Sequence, residues 1–153
     1  MNIELTKEEF RALFDLVYAG NVLVNSMKSV EERIKPHAEM EQKIFALAKE
    51  CGMEDAVEYD EEFGEYMPTR IYEATEINEY IDAYDDQVFW EELIVRLARR
   101  DAINELGDIN PDMSKAQLNS LQDKLEEKYE EEIEYHGIDR LKVVEAPLQS
   151  VKK

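Results

Sequence analysis

Histidine occurs twice, cysteine once and glycine five times in the 153 residues, and each scarcity removes a class of chemistry. A lone Cys51 excludes an internal disulfide and fits a reducing compartment. It is also flanked by Glu50, Glu54 and Asp55, which disfavour a thiolate, so a spectator role is expected. The glycines, at 20, 52, 64, 107 and 137, stand too far apart for a phosphate cradle, a dinucleotide fingerprint or a nucleophile elbow. His37 and His136 lack the four-residue spacing of a zinc-protease helix. A di-iron bundle needs glutamate three residues before each histidine, where this chain has Ile34 and Ile133. Glu132 and His136 have the spacing to share a cation, although their charged neighbourhood favours a solvated pair.

Long apolar runs are missing as well; none approaches the ~18 residues that a membrane span needs. The start, MNIELTKEEF, has neither the basic nor the apolar region of a signal peptide, so a cytoplasmic protein is expected. Bases are the last scarcity. Eighteen lysines and arginines face 37 acids, leaving a net charge of −19. Direct binding to nucleic acid or to an anionic membrane needs positive potential and is excluded as a general activity.

Two local patterns call for a test. Asp108, Asn110 and Asp112 follow the first, third and fifth positions of a calcium loop, but Met113 replaces the turn glycine and Asn119 the bidentate glutamate. Arg96, Arg99 and Arg100 suit phosphate oxygens, yet the excess of carboxylates makes pairing with acids the simpler reading. Close carboxylate pairs arise by chance among so many acids. No catalytic residue, cofactor or metal ligand is therefore assigned.

What the chain does carry is helical periodicity. Thr6 and Glu9 have capping-box spacing for a first helix from Lys7, with Phe10, Leu13, Phe14, Val17, Tyr18, Val22, Leu23 and Met27 on its apolar face. Gly20 within it marks a bend or a close helix crossing. Pro36 opens a second helix that stops at Gly52. Residues 53–68 read as a helical turn or two and an irregular connector. Thr69 caps a third helix through Ile71, Ala74, Ile77, Ile81 and Tyr84. Asp85 or Asp86 caps a central core helix to Gly107, carrying Phe89, Trp90, Leu93, Ile94, Leu97 and Ala98. Ser114 and Gln117 open a last helix to Gly137, and a short strand is expected over 138–146. The fold class predicted is all-α, a compact irregular bundle of about five helices in one domain over residues 1–146, with 147–153 as a tail.

Charge is unevenly spread. Between Glu54 and Glu92 lie fifteen acids, one base (Arg70) and five of the eight tyrosines. Tyrosine is enriched at interfaces, where it offers rigid apolar area with a polar tip. This sector predicts a docking surface for a basic protein partner, with Glu73, Glu76, Glu79, Asp82, Tyr72 and Tyr80 as contact residues. Nucleic-acid mimicry is its sharper form. Two other readings stand beside it. One is a ligand pocket or enzyme site between the central and first helices, lined by Phe14, Tyr18, Phe89, Trp90 and the three arginines. The other is a homodimer through Val88, Val95, Ala102 and Leu106.

Overall fold

The computed structural model describes residues 2–106 and 115–142. Its class is helical. Five α-helices and one small sheet are found among the described residues: α1 (Lys7–Asn25), a 3-10 turn (Val30–Glu32), α2 (Lys35–Leu47), β1 (Val57–Asp60), β2 (Glu65–Pro68), α3 (Arg70–Glu73), α4 (Glu76–Leu106) and α5 (Lys115–His136). By its internal contacts the chain divides into two compact units, Met1–Asp85 and Asp86–Lys153. Residues 76–85 of α4 belong to the first unit and 86–106 to the second.

In the first unit α1 starts where its capping box dictates. The Thr6 hydroxyl accepts from Glu9 N–H at 3.2 Å and the Glu9 carboxylate accepts from Thr6 N–H at 2.8 Å. Pro36 falls in the first turn of α2, where a missing N–H costs nothing. The helix ends at Leu47, and turns lead to Gly52, whose φ of +78° is the left-handed conformation that glycine adopts freely. Helices α1 and α2 run antiparallel. Phe14 stacks on Phe45, Asn21 meets Glu41, and Asn25 meets the backbone of Ile34. The core gathers on this pair: Phe10, Phe14, Tyr18, Phe45, Ala48, Ala56 and Tyr72, with Ile77 and Ile81 packed against it. Gly20 is at no crossing, because a Cβ there would meet no atom within 4 Å.

Three features differ from the periodicity reading. The connector over 53–68 is an antiparallel hairpin with Tyr59 opposite Tyr66. The two rings meet edge to face at 5.0 Å, the cross-strand aromatic contact that stabilises such pairs. Next, Thr69 does cap a helix, accepting from Tyr72 N–H at 3.3 Å, but α3 has only four residues. Ala74 leaves the helical region and α4 begins anew at Glu76. Finally, Asp85 and Asp86 cap nothing. They lie inside the 31 residues of α4, where side chains four apart bridge its turns. Trp90 Nε1 donates to Asp86 at 3.1 Å, Gln87 to Glu91 at 2.8 Å and Arg96 to Glu92 at 2.9 Å.

In the second unit the end of α4 packs beside α5. The Tyr129 hydroxyl donates to Asp101, and Arg100 Nε donates to the same carboxylate at 2.6 Å. Ala98 and Ala102 are fully buried. Phe89 is 54% exposed and Trp90 half-buried, so residues 85–106 are not the core helix that their apolar density suggests. At the far end of α5, Gly137 takes a φ of +53° and donates its N–H to Ile133, as its position predicts. Residues 138–140 form turns rather than strand; 143–146, Gly107 and Ser114 lie outside the described residues, as does the tail.

Candidate functional site

The acidic sector of the first unit is built on the hairpin, α3 and the start of α4. Asp60 organises the hairpin turn: its Oδ1 accepts from Glu62 N–H at 2.8 Å and Phe63 N–H at 3.1 Å. Gly64 closes the turn at a φ of +68°. Gln42 of α2 holds the second strand by the backbone of Tyr66, accepting from its N–H at 2.7 Å and donating to its C=O at 3.0 Å. Arg33 adds an ion pair with Glu65 at 3.1 Å. The hairpin is therefore fixed to α2, and its outward residues Glu58, Glu61, Glu62 and Phe63 are exposed.

Further along, Glu73, Glu76, Glu79 and Asp82 are all exposed. Residues 76, 79 and 82 follow one another at three-residue spacing along α4, about 60° apart, on the side away from Ile77 and Ile81. None of these four carboxylates joins an ion pair among the described residues. Tyr80 stands among them, 64% exposed, its hydroxyl donating to Glu76 Oε2 at 3.3 Å. The Glu76 charge holds that phenol above its ordinary pKa. Tyr84 is exposed on the next turn.

Tyr72 does not belong to this surface. It is 1% exposed, packed edge-on against Phe14 at 4.9 Å and Tyr18 at 5.2 Å, and offers a partner no contact area. The one-residue difference between an inward and an outward position on the short α3 decides this, since neighbouring Ile71 is exposed. The Tyr72 hydroxyl donates to Asp15 at 2.7 Å, and Arg11 chelates the same carboxylate at 3.1 and 3.2 Å. Burial, then the Asp15 carboxylate, pushes the Tyr72 phenol far up. The four-residue spacing of Arg11 and Asp15 was the one sign of this network in the sequence.

A second polar network also lies outside the sequence reading. Buried Asn25 donates to Asn21 Oδ1 at 2.7 Å and accepts from Ile34 N–H at 2.7 Å, while Asn21 donates to Glu41 Oε2 at 2.8 Å. Burial raises the Glu41 pKa, an effect that the Asn21 hydrogen bond opposes.

The residues expected to line a pocket beside the central helix fall in both units. Phe14 and Tyr18 are core residues of the first unit, whereas Phe89 and Trp90 lie in the second and touch each other at 5.0 Å. Two of the three arginines pair locally, Arg96 with Glu92 and Arg100 with Asp101; the second pair lowers the Asp101 pKa by hydrogen bonding. On the proposed dimer face, Ala102 is fully buried within the chain, leaving Val88 and Val95 partly exposed. Glu132 pairs with Arg140 at 3.1 Å rather than with His136. Among the described residues no three His, Cys, Asp or Glu side chains gather as a metal site; the 108–112 pattern lies outside them. No helix among them is long and apolar enough to cross a membrane. A cavity of about 620 Å³ lies between the N-terminal end of α1 and the C-terminal end of α2, bordered by Cys51. No protein-family model, curated protein or solved structure matches the chain.

Proposed function

We propose that this protein is a cytoplasmic interaction module that docks a basic protein partner on the acidic face formed by α3 and the first turns of α4. The observation that carries this reading is the row Glu73, Glu76, Glu79 and Asp82, exposed and without ion pairs among the described residues, with Tyr80 projecting from it. Unpaired like charges on one helix face repel one another and weaken the helix by a few tenths of a kcal/mol per pair, a cost that a cationic partner removes. Charge steers the encounter, and the Tyr80 and Tyr84 rings supply rigid apolar area that loses little entropy on binding.

Affinity capture from native extract at low and at moderate salt is the test, run with the parent chain and with a Glu73→Gln, Glu76→Gln, Glu79→Gln triple variant. A basic protein retained at low salt, lost at moderate salt and released by the triple variant supports the reading. Equal retention by the triple variant overturns it.

A further inference from the structure

The cavity beside α1 and α2 is an apolar feature of the first unit that the acidic face leaves unused. It is bordered by Ile3 and Leu5 of the N-terminal lead-in, Phe10 and Leu13 of α1, and Ile44 and Leu47 of α2. Its polar residues are Thr6, Lys7 and Glu50, with Cys51 beside them. Because α1 and α2 are antiparallel, Lys7 and Glu50 fall at the same end and Leu13 and Ile44 at the other. Lys7 Nζ reaches across to the Gly52 turn, where it would lie 3.3 Å from a Cβ. Lys7 and Glu50 do not pair with each other, and neither joins an ion pair among the described residues. The groove thus has an apolar trough and one end bordered by an ammonium, from Lys7, and a carboxylate, from Glu50. About 620 Å³ falls within the range of small-molecule sites, which are mostly apolar with a few placed polar groups.

We propose that this groove binds a single-chain amphiphile with a zwitterionic head, its alkyl chain along Phe10, Leu13, Ile44 and Leu47 and its head at Lys7 and Glu50. Charge selects the head. A carboxylate-headed chain meets Lys7 but is repelled by Glu50 and by a chain of net charge −19. A cationic chain meets Glu50 but is repelled by Lys7. A head carrying both charges satisfies both residues, with its anionic group on the ammonium and its cationic group on the carboxylate.

The test is calorimetric titration of the full chain with dodecylphosphocholine below its critical micelle concentration, with dodecanoate and dodecyltrimethylammonium alongside. One saturable site, filled most tightly by the zwitterion, is expected. Leu5→Gln with Leu47→Gln should weaken it about tenfold by removing apolar contact. These side chains are 42% and 43% exposed, so the substitutions spare the core, and an unchanged far-ultraviolet dichroism spectrum checks it. Lys7→Gln should weaken the zwitterion about two- to fivefold, as for one exposed ion pair, and narrow its advantage over the cationic chain. Absence of saturable binding overturns the proposal. So does equal binding by the Leu5, Leu47 variant, which means surface adsorption only. The Glu73, Glu76, Glu79 variant should bind the amphiphile normally, which keeps this site separate from the acidic face.

Discussion

The Tyr72 hydroxyl donates a 2.7 Å hydrogen bond to Asp15 Oδ1, joining the four-residue α3 to the middle of α1 across 57 positions of sequence. So short a helix has little stability of its own, because nucleation costs more than one turn of hydrogen bonds returns. Its position rests on the Tyr72 ring in the core and on this bond beneath the Arg11 guanidinium, 5.3 Å from the ring centre. Tyr72→Phe keeps the ring and deletes the bond. Hydrogen bonds to charged groups contribute about 1.5–3 kcal/mol, and the partial exposure of Asp15 places this one near the lower bound. Urea denaturation should show a lower midpoint with an unchanged slope. An unchanged midpoint would show that the ring alone holds α3.

The core on α1 and α2 gives a second prediction. Phe14 is fully buried, stacked on Phe45 at 4.6 Å with ring planes 11° apart, whereas Phe89 is mostly exposed. Phe14→Ala should cost about 3–5 kcal/mol, the range for a buried aromatic, and Phe89→Ala about 1 kcal/mol or less. Thermal denaturation of the two variants decides it. The reverse order would restore the residue 85–107 stretch as the organising core.

Gly20 offers a stabilising change. It lies inside α1 at an ordinary helical φ, and a Cβ added there meets nothing within 4 Å. Alanine has better helix propensity because it loses less backbone entropy, so Gly20→Ala should raise stability by about 0.5–1 kcal/mol. A lower melting temperature would place an unseen contact at this position.

The raised pKa of Glu41 predicts a pH dependence with a definite sign. Its ordinary value is 4.5, and burial raises it in the folded chain. Between the two values the folded state holds more proton than the unfolded state, so this group's contribution to stability falls as pH rises through that window. Above the folded value the penalty is complete; below 4.5 it is gone. Glu41→Gln keeps an oxygen for the Asn21 amide and removes the charge. Its stability relative to the parent chain should therefore be higher at pH 7 than at pH 4, and chemical denaturation at both values reads the difference. A constant difference across that range would mean that Glu41 ionises without penalty.

The sequence determined the helical class and several helix ends, because these depend on near neighbours. The Thr6–Glu9 box, Pro36 in the first turn of α2 and Gly137 after α5 act within a few residues. The acidic row was legible from composition: with 37 acids and 18 bases, many carboxylates have no cation to pair with. Tertiary structure decided which apolar faces became core. Phe89 and Phe14 have the same hydrophobicity, and only packing against Phe45 and Tyr72 separates them. It decided the hairpin, since Tyr59 and Tyr66 gain strand stability only once paired with each other and held by Gln42. It also moved Tyr72 from the candidate surface to the interior. Local spacing sets where a side chain leaves its helix, whereas its burial depends on which distant surface meets that face.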